Sequence, residues 1–263
     1  MGWFTPKAVV DADELDWLLA TLRWIDEEDP ALGSAGDRPL FLPTAEYYPA
    51  MSSRGHALAA EIFALVQRQC GMADWPCELV ALPDSRASRV EAIGVMETSN
   101  GALGTYQQLR GRNDPRISYR PELLDDPALL VATFAHELAH YRMHSFATLP
   151  PGGAELEELA TDLLAVRMGF GVLLANVAKN FSAYTAHDRQ GWQSQRTGYL
   201  SERARVTALA INERLVGRDP MASAGSHLKS YLRSDLRKAD RHLRHAFPDL
   251  PAAMAAIDLT AFA

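Results

Sequence analysis

The chain has 263 residues, 48% of them hydrophobic and 22% charged, a composition typical of a globular protein with a sizeable core. The formal net charge of −7 argues against a protein that binds duplex nucleic acid, because such proteins neutralise phosphates with lysine and arginine. Acidic residues interrupt the apolar segment near the N-terminus, so it lacks the layout of a secretory leader, and we expect a cytoplasmic protein. The longest apolar stretch, residues 163–178, contains Arg167 and Asn176 and predicts buried helices rather than a membrane span.

Two helices are predicted in the first third of the chain. The first starts at Asp11 or Asp13, either of which can cap it, and runs to about Ile25. The second covers residues 55–70 and ends at Gly71, a plausible C-cap.

Residues 76–120 change to short runs of strand-forming residues separated by turns. The runs are CELVAL (77–82), AIGVME (92–97), LGTYQQL (103–109) and RISYR (116–120). They predict a small mixed or antiparallel sheet of three or four strands. Cys70 and Cys77 match neither a redox motif nor a zinc knuckle, and we expect both to be reduced.

The stretch ATFAHELAHYRM, residues 132–143, carries two histidines four positions apart. Asp126 as N-cap and Pro127 at the first helical position predict that this stretch is helical. One helical turn separates His136 from His140, so both side chains can reach one metal ion. Glu137 is displaced around the helix from the histidines, a position that suits a general base beside a metal-bound water better than a third ligand.

A second helix is predicted after a reversing loop at residues 145–154, and it should end at Gly169 or Gly171. Glu158 on this helix can supply a third metal ligand. Asp162, one turn later, can accept the free ring N–H of a ligating histidine, most simply His136, and so fix its tautomer.

The motif HELAH, followed by Glu158 and Asp162, resembles the gluzincin group of zincin metallopeptidases. The resemblance implies His136, His140 and Glu158 as zinc ligands, Glu137 as general base, and Asp162 as the support of a histidine. It also implies a small sheet with an exposed edge strand ahead of the active-site helix. It covers about a tenth of the chain and so identifies the chemistry better than the substrate. In addition, GYLSERARVTALAINERL (198–215) is similar to segments of uncharacterised bacterial proteins that share this core.

Zinc held by three side chains keeps an open position, so Glu137 could take a proton from a zinc-activated water and pass it to the leaving amine. Mn2+, Fe2+ and Co2+ stay open as alternatives to Zn2+. The developing oxyanion needs one more donor. The candidates for it are Tyr199, which we favour because it precedes a predicted helix, and then His187, Tyr184, Arg203 and His144.

Three other interpretations compete at this stage. The histidines could be ordinary core residues, or could hold a structural zinc, although structural sites are mostly closed by cysteine and have no use for Glu137. Residues 226–247 form a basic amphipathic helix that could dock on a partner, or could pack on its own domain. The apolar stripe of this helix consists of Leu228, Leu232, Leu236, Ala239 and Leu243. Its cations include Lys229, Arg233, Arg237 and Arg241.

The sequence therefore predicts an α+β, zincin-like fold in a single domain, residues 1–263, with a mixed lobe at 1–124 and a helical lobe at 125–263. The expected function is a zinc-dependent peptidase that acts on peptides or proteins, with LGTYQQL or RISYR as the edge strand that pairs with substrate. The alternatives are a regulatory metalloprotein devoted to one partner and a binding module built on the basic helix. The oligomeric state is left open.

Overall fold

The computed structural model describes residues 6–33, 38–83, 104–107, 115–185 and 199–262. These segments are mostly helical and carry a small sheet, an α+β arrangement. The α-helices are α1 Ala12–Glu28, α2 Pro30–Gly33, α3 Gly55–Gln69, α4 Pro127–Met143, α5 Glu157–Ala165, α6 Gly171–Thr185, α7 Glu202–Leu215, α8 Pro220–Ser223, α9 Ser230–Ala246 and α10 Leu250–Ala255. Short 3-10 turns lie at Pro121–Asp125, Ala154–Leu156, Gly225–His227 and Leu259–Phe262, and a π-helical turn at Val166–Phe170. The strands are β1 Glu78–Ala81, β2 Gly104–Gln107 and β3 Arg116–Tyr119.

The first two long helices begin and end close to the predicted positions. Asp11 caps α1, its side chain accepting a hydrogen bond from the backbone N–H of Glu14 at 2.8 Å. The helix continues to Glu28, beyond the predicted end near Ile25. After α3, Gly71 adopts a φ of 68°, the left-handed conformation expected of a glycine at a helix end.

The sheet is mixed, with the strand order β1-β3-β2. β1 runs parallel to β3 and places Leu79 opposite Ile117. β2 runs antiparallel to β3 and places Tyr106 opposite the same Ile117. The prediction of a small mixed sheet is therefore confirmed for the strands that the structure describes.

The prediction of RISYR (116–120) as a possible edge strand is wrong. It forms the central strand, paired on both sides, and its Ile117 and Tyr119 are almost completely buried. Of the two candidates, LGTYQQL (103–109) contributes β2, which lies at the edge of the three strands that the structure describes. The run at 92–97 lies outside the described residues.

Helix α4 crosses the middle of the core. Its Phe134 packs edge-on against Phe63 of α3, with ring centroids 5.2 Å apart, and against Tyr119 of β3 at 5.8 Å. These contacts join the sheet, α3 and α4 in one cluster of buried side chains. Cys70 is buried in the same cluster and Cys77 packs against it partly buried, and the two cysteines do not form a disulfide.

The prediction that the helix after the loop ends at Gly169 or Gly171 is confirmed: α5 passes into the π-helical turn, which is kinked at Gly169, and a separate helix, α6, begins at Gly171 and continues to Thr185. Gly169 has a φ of 105° and kinks the chain within the π-helical turn. A Cβ at this position would lie 2.6 Å from the carbonyl oxygen of Pro39, so only glycine fits. The backbone N–H of Phe41 donates to the Gly169 carbonyl at 2.9 Å. The kink thus brings residues 39–41 against the helix, and the apolar residues after it stay in the core.

Among the described residues, one helical stretch, Ala154–Ala178, which includes the kink at Gly169, has the length and apolar character of a membrane span. Its most apolar window is 94% buried inside the protein. The stretch includes the 163–178 segment, and its burial agrees with the prediction of core helices there.

The basic amphipathic helix of the sequence is α9, and its apolar stripe lies inside the protein. Leu232, Leu236 and Leu243 are each at most 2% exposed, and α9 packs along α7. The stripe is therefore used in the protein's own core, and the outward faces of α9 carry most of its charged residues together with the exposed Tyr231.

Candidate metal centre

Helices α4 and α5 pack against each other and bring three metal-binding side chains together. Asp126 and Pro127 start α4, with the Asp126 carboxylate accepting the backbone N–H of Leu129 at 3.1 Å. His136 and His140 lie one turn apart near the end of α4. Among the residues that the structure describes, these two histidines and Glu158 of α5 form the group whose ligand atoms could hold one ion.

The three ligand atoms form a nearly equilateral triangle. His136 Nε2 lies 3.1 Å from His140 Nε2, and Glu158 Oε2 lies 3.4 Å from each of these nitrogens. Zinc binds nitrogen and oxygen at about 2.0–2.1 Å, so three corners of its tetrahedron lie about 3.3–3.4 Å apart. The three distances between the donors are close to these values, so the donor set suits such an ion. His136 is 2% exposed at the inner corner, whereas Glu158 is 49% exposed at the outer one.

Asp162 fixes the ring of His136. Its Oδ1 lies 3.1 Å from His136 Nδ1, and its Oδ2 accepts the backbone N–H of Leu200 at 2.8 Å. Arg205 of α7 donates to the same Oδ2 from two nitrogens, at 2.8 and 3.2 Å, and to the carbonyl oxygen of Leu174 at 2.9 Å. Because the carboxylate only accepts, His136 must carry its proton on Nδ1, which leaves the Nε2 lone pair for a metal.

Thr161 performs the corresponding task for His140. Its hydroxyl donates to the carbonyl oxygen of Glu157 at 2.8 Å, so its own oxygen is available to accept. His140 Nδ1 lies 3.3 Å from that oxygen. The imidazole therefore donates from Nδ1 and again directs Nε2 to the triangle.

Buried charges set the protonation of the metal-free site. Burial opposes a charged His136, but its hydrogen bonds to Asp162 and Glu158 outweigh burial and raise the pKa of His136 to about 10. Burial also acts against the Glu158 carboxylate, but the two histidines hold the pKa of Glu158 well below its ordinary value. Burial also opposes the charged form of Asp162, but the charge of Arg205 and, after it, the hydrogen bond to His136 lower the pKa of Asp162 below its ordinary value.

Glu137 is buried beside the triangle and 4% exposed. Burial, reinforced by the Glu158 carboxylate, raises the pKa of Glu137 against the opposing charges of His136 and His140. Its carboxylate also accepts a hydrogen bond from the backbone N–H of Tyr106 in β2. The edge strand and the glutamate are thus directly connected, and the glutamate is more basic than an exposed one.

Tyr199 packs against His136, one of the three candidate metal ligands. Its ring meets that of His136 edge-on with centroids 5.0 Å apart, and the Arg205 guanidinium lies 5.9 Å from the ring centre. Burial, followed by the carboxylates of Glu137, Glu158 and Asp162, raises the pKa of Tyr199 well above its ordinary value. The hydroxyl therefore keeps its proton and can act as a hydrogen-bond donor.

The other candidates for the oxyanion donor do not share the position of Tyr199 beside His136. Arg203 is 69% exposed and lies 3.8 Å from Asp235, away from the triangle. His144 is exposed at the end of α4, with its ring 6.0 Å from that of Tyr106. His187 and the side chain of Tyr184 lie outside the described part of the chain.

Sequence reasoning missed the second layer of this site, Arg205, Thr161 and the backbone of Tyr106. Arg205 did leave a signal in the sequence, because it lies on α7 between the apolar residues Ala204 and Val206, and the structure shows that it is fully buried. A charged residue on a buried helix face requires a partner, and in this protein the partner is Asp162.

Comparison of the chain with protein-family models, with curated proteins and with solved structures found no match. The functional argument therefore depends on the geometry of the site alone.

Proposed function

We propose that this protein is a zinc-dependent peptidase with a zincin-like fold and a gluzincin-type site. The observation that carries the proposal is the triangle of His136, His140 and Glu158 with a buried glutamate beside it. A structural zinc site has no need of such a glutamate, whereas a hydrolytic site requires a base next to the metal.

Each residue of the site has a task in amide hydrolysis. Zinc on the three donors would supply Lewis acidity and bring the pKa of a coordinated water to about 7. Glu137 accepts the proton of the attacking water and delivers it to the leaving nitrogen, a role that its raised pKa favours. Asp162 and Thr161 hold the two imidazoles in the ligating tautomer. Tyr199 donates its hydroxyl proton in a hydrogen bond to the oxyanion.

The edge strand β2 supports a peptide substrate. It pairs with β3 on one side, and its Tyr106 N–H reaches Glu137 on the other. An extended peptide that lies along β2 would bring a backbone carbonyl close to the metal donors, in the manner of strand addition to a sheet edge. We therefore propose extended peptides, or unfolded segments of proteins, as the substrate class.

The test separates metal binding from catalysis. Protein purified without nickel is analysed for metals, and its cleavage of a quenched fluorescent peptide library is measured for the wild type, Glu137→Gln, Glu158→Ala and Glu157→Ala. The wild type should hold near-stoichiometric zinc, which Glu158→Ala loses. Glu137→Gln should keep zinc but lose activity by about 10²–10⁴-fold, the usual contribution of a general base.

Glu157→Ala is the matched control, because this glutamate adjoins Glu158 and is exposed. It should keep both zinc and activity. Full activity in Glu137→Gln would overturn the proposed mechanism, and a wild type that takes up no zinc, manganese, iron or cobalt would overturn the metal site itself.

A further inference from the structure

A second cluster of charges surrounds Arg38, at a cavity whose lining contains none of the metal donors. Arg38 is only 6% exposed, and its three guanidinium nitrogens make no hydrogen bond to any residue in the described part of the chain. Its ion-pair contact is to Asp26, whose Oδ1 lies 3.6 Å from Arg38 Nη2. A buried guanidinium without hydrogen bonds is costly, so its presence points to a group that binds it.

Asp26 does not neutralise Arg38, because another arginine already occupies it. Arg167 donates from Nε to Asp26 Oδ1 at 2.8 Å and from its terminal nitrogen to Oδ2. The remaining terminal nitrogen of Arg167 donates to Asn212 Oδ1 at 2.8 Å. The donors of Arg167 are therefore used within the protein, whereas those of Arg38 are available.

The position of Arg38 is fixed by its backbone. The Arg38 carbonyl oxygen accepts a hydrogen bond from Arg218 at 2.8 Å, and Arg218 is held in turn by two hydrogen bonds to Glu213. The guanidinium thus extends from a rigid point of the fold.

The cavity next to Arg38 has a volume of about 360 Å³. One part of its wall is charged, with Arg23, Asp26, Glu27, Arg38 and Arg167, and the other part is apolar, with Leu215, Pro251, Met254 and Ala255. This volume is at the lower end of the range for ligand pockets, about 300–1,000 Å³. The mixed wall suits a ligand with one polar end and one apolar end.

The charges in the cavity wall indicate which polar group the ligand should carry. Arg23 is paired with Glu27 at 2.8 Å, and Arg167 is paired with Asp26, so among the residues that the structure describes around this cavity Arg38 adds one positive charge beyond these pairs. One negative charge restores neutrality. A carboxylate matches the two-pronged geometry of a guanidinium, whereas a phosphate dianion would add repulsion from Asp26 and Glu27.

We propose that this cavity binds a small amphipathic carboxylic acid, with its carboxylate on Arg38 and its hydrocarbon part against Leu215, Pro251 and Met254. The site is independent of the proposed peptidase activity, because it contains none of the metal donors and none of the residues around them.

The experiment is isothermal titration of the full-length protein with hexanoate, butanoate, hexanol and inorganic phosphate. Hexanoate should bind saturably at concentrations of up to about 10 mM, and more tightly than butanoate because of the apolar wall. Tighter binding of phosphate than of hexanoate, equal binding of hexanol, or no hexanoate binding by the wild type would each overturn the proposal.

Variants locate the site. Arg38→Met should lose hexanoate binding, and Arg38→Lys, which keeps the charge but not the planar fork, should weaken it about tenfold. Arg203→Met removes an exposed arginine and should bind as the wild type does. If Arg38→Lys and Arg38→Met both bind hexanoate as the wild type does, the carboxylate does not bind to Arg38 and the assignment of this cavity is refuted. The wild-type titration decides the proposal even if Arg38→Met fails to fold.

Discussion

The pair formed by Asp162 and Arg205 allows a quantitative test of how the metal centre is supported. Both side chains are 0% exposed, with nitrogen and oxygen 2.8 Å apart. We consider Asp162→Asn, Arg205→Met and the double variant. Asp162→Asn leaves the buried guanidinium without its counter-charge, and Arg205→Met leaves the buried carboxylate with Leu200 and His136 as its hydrogen-bond donors.

Breaking a fully buried ion pair from one side typically lowers the free energy of unfolding by about 3–5 kcal/mol, because the partner's charge stays buried. We expect a loss of this size from each single variant at neutral pH. The double variant removes both charges and should be destabilised by less than the sum, with a coupling of about 2–3 kcal/mol. Since the pKa of Asp162 is lowered in the folded protein, its ionised carboxylate contributes fully to the free energy of unfolding above the unfolded-state pKa of about 3.9. This contribution is lost as the pH falls below that value and through the folded-state pKa.

The assay is urea unfolding at pH 7 with a chelator present, followed by zinc titration of each folded variant. Asp162→Asn should also weaken zinc binding by about 10–100-fold, through the orientation of His136. Asp235→Asn is the control, because its partners Lys238 and Arg203 are both exposed, and each of these surface ion pairs should contribute no more than about 1 kcal/mol. Losses below about 1 kcal/mol in both single variants, or strict additivity in the double variant, would refute the reasoning.

Two further outcomes follow from the geometry. Gly169→Ala should lower the free energy of unfolding by at least about 1–3 kcal/mol, because a Cβ at this position meets the Pro39 carbonyl oxygen at 2.6 Å and the φ of 105° is strained for alanine. Urea unfolding measures this effect, and Gly217→Ala, which has a positive φ but no neighbour within 4 Å, separates strain from collision. Zinc binding at pH 7.5 should release about one proton, because His136 has a pKa raised to about 10 and must give up its extra proton to bind the metal. Titration calorimetry in two buffers of different ionisation enthalpy counts that proton, and zero release would contradict the protonation described for the metal-free site. In the metal-free protein the same proton stabilises the fold fully below the unfolded-state pKa of about 6.5, and this contribution declines as the pH rises toward about 10.

Features with local causes could be predicted from the sequence. Asp126 and Pro127 start α4 through interactions within one helical turn, and the spacing of His136 and His140 places them together on any regular helix. The positions of Glu158 and Asp162 on the next helix follow in the same way, once the loop has brought α5 onto α4. For these residues the distance along the chain nearly determines the distance in space.

The features that sequence reasoning missed depend on distant parts of the chain. The central position of RISYR is determined by the pairing of β1 and β2 on its two sides, which its own residues do not encode. Arg205 meets Asp162 across 43 positions of the chain, beyond the reach of periodicity or spacing.

The separation between Arg205 and Asp162 limits how the site could be transferred to another protein. The three donors and Glu137 lie within residues 136–158, a hairpin short enough to graft onto another helical scaffold. A graft extended by four residues would include Asp162 but leave its buried carboxylate without the guanidinium from α7 and without the Leu200 N–H. The smallest portable unit therefore includes α7 and the residues just before it, and a designer who copied the motif alone would obtain the ligands without the support that orients His136.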